Sequence, residues 1–150
     1  MTGVPDVLAR ARSILVIDWP TREVPETLAR AGYEVVVHGG PGPEDYVAYE
    51  VAGGEVVERR VGQAPAHADL VWTYRPLAEL PEIVELAHAV GATTVWVHSG
   101  LAGEGVKDPA GCWLPAAEAA AARTTVEAAG LEYLDQPWIV DAVRELGRIS

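Results

Sequence analysis

The stretch Ser13–Gly40, SILVIDWPTREVPETLARAGYEVVVHGG, decides the fold. It opens on Ile14, Leu15, Val16 and Ile17, an unbroken apolar run rich in β-branched residues. A run without polar alternation suits a strand covered on both faces, as in a parallel sheet. Asp18-Trp19-Pro20-Thr21-Arg22 then turns the chain, and Val24, Leu28 and Ala31 recur at helical spacing. Gly32 ends that helix as a residue tolerant of positive φ. Tyr33–Val37 is a second apolar run, so the unit reads β-α-β. Ligands of such units gather at the carboxyl end of the first strand, over the helix N-terminus. Here that position carries no glycine.

Working outward, Pro5-Asp6 caps a short helix through Val7, Leu8 and Ala11, expected across the sheet edge. Gly39-Gly40-Pro41-Gly42-Pro43 can only be a loop. Tyr46–Val51 fits a helical turn or a strand equally well. Gly53-Gly54 breaks the chain, and Glu55–Val61 reads as a third strand or a hairpin arm. Asp69–Tyr74 is the next buried strand, followed by a helix over Glu79–Val90 that Gly91 closes. Thr94–His98 is a further strand and Leu101–Leu114 a loop. Pro115–Ala129 forms an Ala-rich helix ended by Gly130, and Glu132–Leu134 a last short strand. Pro137, at a first-turn position, starts a helix through Leu146. Strands alternating with helices in this way predict an α/β, doubly wound, mostly parallel sheet of five or six strands.

The chain has 150 residues, which predicts a single domain over 1–150 with room for a proper core. A formal net charge of −11 argues against nucleic acid, whose backbone is held by Lys and Arg. One anionic ligand on a single Arg remains compatible with it. Cys112 is alone, so there is no internal disulfide framework and no cysteine-rich metal site. No stretch approaches the roughly 18 apolar residues of a membrane span, and no signal peptide precedes the first strand. A cytoplasmic location is the expectation.

Reading the residue at each strand's carboxyl end gives Asp18 with Trp19, His38 with Gly39, Tyr74 with Arg75, His98 with Ser99, and Asp135 with Gln136. The topology predicts that most of this set surrounds one crevice. Asp18 reads equally as a cap for the following helix. His38 reads as a turn residue, and Arg75-Pro76 as a solvated arginine beside a helix-starting proline. His98 is the foremost catalytic candidate, because imidazole exchanges protons near neutrality. Ser99 and Gly100 offer backbone N–H groups beside it. No GxSxG elbow surrounds Ser99, and no His-x-x-x-His or His-x-His spacing marks a metal site. Trp19, Trp72 and Trp96 read as core or wall, with Trp19 best placed to touch a ligand.

The segments AGYEVVVHGG (31–40), ADLVWTYRP (68–76), LPEIVELAHAVGATTVWVHSG (80–100) and EAAGLEYLDQP (127–137) resemble the small stand-alone CoA-binding domain proteins. Those share a Rossmann-like fold with the N-terminal domain of the succinyl-CoA synthetase α subunit. The resemblance runs from Ser13 to about Pro137. It implies coenzyme A or a related nucleotide-containing ligand, held by Trp19, Thr21, Arg22, His38, Gly39, Tyr74, Arg75, Pro76, Ser99 and Gly100. Arg75 would meet a phosphate. The chain departs from the family at its first turn, where Asp18 and Trp19 replace small residues that let a backbone approach a diphosphate.

Three readings stay open. The first is the inherited CoA- or nucleotide-binding role. The second is a repurposed small-molecule enzyme, with His98, His38 and Asp18 performing proton transfer in an isomerisation, elimination or cyclisation under the 101–114 loop. The third is an interaction protein without a ligand. A homodimer is an assembly that the sequence allows in each.

Overall fold

The computed structural model describes residues 3–39 and 45–147. Thr2 and the Gly40–Pro43 part of the expected loop fall outside them. Seven strands form one sheet in the order β4-β3-β2-β1-β5-β6-β7. They are β1 (Ser13–Ile17), β2 (Glu34–His38), β3 (Tyr46–Ala52), β4 (Glu55–Arg60), β5 (Leu70–Thr73), β6 (Thr94–Val97) and β7 (Glu132–Leu134). The five strands β2-β1-β5-β6-β7 run parallel, whereas β3 and β4 are antiparallel to their neighbours. The sheet thus exceeds the five or six strands expected. The excess is a hairpin, which settles both Tyr46–Val51 and Glu55–Val61 as strand.

The hairpin follows from local chemistry. Gly53 and Gly54 both take positive φ, 62° and 83°. Two such residues between strands form the tight turn whose twist matches that of the arms. In the central strands every residue of β1, β5 and β6 is buried, as an unbroken apolar run requires.

Helix α2 (Glu23–Arg30) joins β1 to β2, and α3 (Leu80–Ala89) joins β5 to β6. Strand order therefore reverses between β1 and β5. Helices α1 (Val4–Arg10), α2 and α5 (Ile139–Glu145) pack together on one face, and α3 with α4 (Ala116–Ala128) on the other. Gly32, at φ 98°, closes α2: its N–H donates to Ala29 and that of Tyr33 to Leu28. Pro137 does not open α5; Trp138 is its N-cap, with its ring turned into the core. Pro5 and Asp6 lie within the first turn of α1, which Gly3 caps.

At the opposite sheet end, Asp69 accepts from the backbone N–H groups of Arg12 (2.8 Å) and Ser13 (3.2 Å) and from His67 Nε2 (2.7 Å). Burial alone would raise this carboxyl, but those hydrogen bonds win and hold it below the usual range. They fix β1 against β5.

Thr94 is buried in β6, and its hydroxyl has no partner. Valine has the same shape without the orphaned group. Thr94→Val is expected to leave stability unchanged or raise it by up to about 1 kcal/mol. Urea unfolding measures this, and a comparable loss would mean that the hydroxyl is satisfied after all.

Candidate functional site

The carboxyl ends of β2, β1, β5 and β6 are locked in step. Asp18 N–H donates to His38 O (3.1 Å), Tyr74 N–H to Ile17 O (3.0 Å) and His98 N–H to Thr73 O (2.9 Å). Asp18 then takes φ 61°, in the left-handed region that Asp tolerates better than most side chains. This reversal sends neighbouring side chains in opposite directions. Trp19 packs inward at 8% exposure, its ring 5.4 Å from Trp72, 5.1 Å from Tyr74, 5.6 Å from His98 and 5.3 Å from Trp138. Asp18 reaches outward to Arg75.

Arg75 is held by two carboxylates. Its Nε and Nη2 donate to the two oxygens of Glu79, at 3.1 and 2.7 Å, and its Nη1 donates to Asp18 at 2.8 Å. A planar guanidinium meets a carboxylate best through such a fork. The pairing raises the Arg75 pKa, Glu79 contributing most, and lowers that of Glu79.

His98 is 2% exposed. Its Nε2 lies 2.7 Å from the Pro109 carbonyl, which can only accept, so Nε2 carries the proton. Nδ1 faces Cys112 Sγ at 3.7 Å. Burial depresses the imidazolium, partly opposed by Pro109 and Asp108, and the ring is held neutral. Ser99 Oγ donates to Gly111 O and accepts from Leu101 N–H, both at 3.3 Å. These bonds anchor the 101–114 loop. At Gly100, φ is 67° and a Cβ would stand 2.6 Å from the Tyr74 ring, so only glycine lets that ring close down.

Two clefts open above these ends. The first, of about 640 Å³, is walled by Pro20, Pro76, Leu77, Val97, Leu101 and Leu114 and carries Asp18, Tyr74, Arg75, His98, Ser99 and Glu118. The second, of about 430 Å³, is lined by Ile17, Asp18, His38, Gly39, Arg75, Glu79 and Glu82. Among the described residues no three His, Cys, Asp or Glu side chains group to hold a metal ion.

A family model described as a CoA binding domain matches residues 17–141. The chain belongs to the CoA-binding domain family. Two solved structures share the fold of this CoA-binding domain. One is Prb, the PH1109 protein redesigned for binding, at 20% identity and TM-score 0.61, covering 98% of this chain and 92% of its own. The other is cell-free ID.343 from Thermus thermophilus, at 18% identity and TM-score 0.55, covering 93% of each chain. No curated protein matches the chain. No helix among the described residues is long and apolar enough to cross a membrane.

The first turn of this CoA-binding domain does not fit a diphosphate. Thr21 Oγ1 already accepts from Trp19 Nε1 (3.0 Å) and Glu23 N–H (3.3 Å). Pro25 has no N–H to offer, and Glu23 and Glu26 put negative charge in the first turn of α2. Arg22 points away: it donates to Val56 O at 2.9 Å and pairs with Glu26 and Glu58. Of the residues expected at the ligand, Asp18, Tyr74, Arg75, Pro76, His98 and Ser99 line the first cleft, and His38 and Gly39 the second. Gly100 stands behind Tyr74. Trp19, Thr21 and Arg22 line neither, because the reversal at Asp18 buries the Trp19 ring. Asp18 does not cap α2, which has Arg22 at its N-cap and no side-chain cap.

Asp18 shares the first cleft with His98 and the second with His38, but its carboxylate is engaged by Arg75 and each imidazole bonds elsewhere. His38 Nδ1 donates to Asp45 O at 3.3 Å, and its ring stacks on Tyr46 at 4.4 Å. Sequence reading missed Glu79, although an Arg and a Glu four apart on a helical turn pair routinely. It also missed the contact of Cys112 with His98, which no local pattern announces.

Two measurements check these electrostatics. Burial, with the carboxylates of Asp135, Asp141 and Asp108, pushes the Cys112 thiol up to about 11. At a fixed mildly alkaline pH, iodoacetamide is expected to modify it roughly a hundredfold more slowly than in the urea-unfolded chain. His98 is protonated less readily folded than unfolded. Its contribution to stability is therefore complete above its ordinary value of 6.5 and is lost as pH falls below it. Urea midpoints are expected to drop on acidification from about pH 7.5 to about 5.5. His98→Gln, which keeps a donor for Pro109, should flatten that drop.

Proposed function

We propose that this protein binds coenzyme A or a related nucleotide-containing ligand at the carboxyl ends of β1, β5 and β6. Residues 1–150 then act as one such domain. The observation that carries this is the first cleft: an apolar-walled cavity beside the point of strand-order reversal, with Arg75 as its one Lys or Arg among the described lining residues. Cavities of this size at such a point are the usual ligand sites of open α/β sheets. Family membership supplies the ligand class. Leu77, Val97, Leu101 and Leu114 suit the uncharged pantetheine arm, and Arg75 suits a phosphate.

In this reading Tyr74, Pro76, His98 and Ser99 are wall, and Gly100 lets Tyr74 form it. An acid–base role for His98 in the first cleft would need a ring nitrogen open to the substrate. His98 instead gives Nε2 to Pro109 and turns Nδ1 toward Cys112, which favours binding over turnover.

Thermal unfolding with CoA, dephospho-CoA, acetyl-CoA, NAD and NADP tests the proposal. Ligand at about 100 times its dissociation constant stabilises by roughly 2.7 kcal/mol, a shift of several degrees for a domain of this size. The CoA compounds are expected to raise the midpoint in the wild type and not in Arg75→Ala. Absence of a shift with every one of them would sink the reading.

A further inference from the structure

We infer that Asp18 is a resident counter-anion, occupying the ligand's place on Arg75, and that an incoming anion displaces it and joins the two clefts into one trough. This inference rests on the binding site proposed above. The two clefts share two residues, Asp18 and Arg75. The ion pair between them is the partition. Among the described residues no other Lys or Arg lines either cleft, so an anionic group bound here has one cation to meet.

The two carboxylates on Arg75 play different parts. Glu79 takes Nε and Nη2 together from four residues along the same turn, and so fixes the plane of the fork. It is a positioning residue. Asp18 takes Nη1 alone, from the end of the neighbouring strand β1. The Asp18 and Arg75 side chains are 39% and 36% exposed. Ion pairs this open to water are weak, and a better-placed anion exchanges with them. Release of Asp18 leaves Nη1 aimed at the junction while Glu79 keeps the guanidinium in place.

The lining says which molecule gains from the exchange. Beyond the junction the first cleft offers apolar walls and the carboxylate of Glu118, and Glu79 and Glu82 make the second acidic. Negative charge is therefore accepted at the junction and repelled beyond it. The structure selects an elongated ligand with its anion near the middle and uncharged arms. Dephospho-CoA, a diphosphate between pantetheine and adenosine, has that form. Asp18 is thus a specificity-determining residue that sets how costly the central anion is to bind.

Calorimetric titration of the intact protein with dephospho-CoA and with pantetheine, which carries no phosphate, tests this. Asp18→Asn keeps the shape and tolerates the same positive φ; Asp18→Gly adopts that φ without strain and serves if the first variant melts early. Removing the carboxylate is expected to tighten dephospho-CoA about tenfold and to leave pantetheine within about twofold. Equal or weaker binding of dephospho-CoA by the variants overturns the inference and leaves the binding site standing. Parallel tightening of pantetheine also overturns it, since Asp18 would then act by shape. If neither wild type nor variants bind either compound, both the inference and the proposed function fall.

Discussion

Five rings meet at the carboxyl end of the sheet, and the layout of that end depends on their packing. Trp72 and His98 stack at 5.2 Å, with Trp138 4.8 Å from the imidazole and Trp19 touching all three and Tyr74. They arrive from the first turn, from β5 and its end, from the end of β6, and from the start of α5. Each such pair contributes about 0.5–1.5 kcal/mol beyond the burial of its area. With Trp19 turned inward, the left-handed residue before it must present its carboxylate outward. With His98 held among aromatic rings, the imidazole stays neutral and its N–H is given to Pro109. The covering loop and the charge at the mouth of the cleft both follow from one act of packing.

Charge then decides what this end of the molecule can hold. The chain carries a formal −11, and its strand ends offer one guanidinium to two carboxylates. A helix N-terminus would ordinarily compensate. Here α2 begins with acidic residues and spends one of its first N–H groups on Thr21. The chain has kept its family's fold, and in the binding reading proposed above its anion recognition rests on a single side chain rather than on backbone. A site built in that way is sparing in affinity and easily tuned.

Much of this was legible in the sequence where burial was two-sided. The runs at Ile14, Leu70 and Val95 are covered on both faces, so hydrophobicity alone located the central strands. Tyr46–Ala52 was not legible for a related reason. Tyr46 belongs to the core under α3 and Tyr49 to the core under α2, so both faces of the strand are apolar and the two tyrosines mimic helical spacing. Strand ends located Asp18, Arg75 and His98 correctly, since topology determines position there. They gave no view of orientation. Asp18 and Arg75 stand 57 residues apart in sequence and neutralise each other in space. The inward turn of Trp19 depends on a backbone dihedral that composition does not encode.

The loop over the first cleft is shaped by main-chain bonds. Gly100 N–H donates to Gly111 O, Asp108 N–H to Gly100 O, Trp113 N–H to Leu101 O and Ala102 N–H to Val106 O, between 2.7 and 3.0 Å. The side chains of Val106, Lys107 and Trp113 project from it into solvent, and only their main chain takes part in such bonds. Exchanges at exposed positions of this kind usually alter stability by no more than about 0.5 kcal/mol. The outer face of the loop is therefore open to diversification by drift or by a combinatorial library, while the frame that holds it keeps its shape.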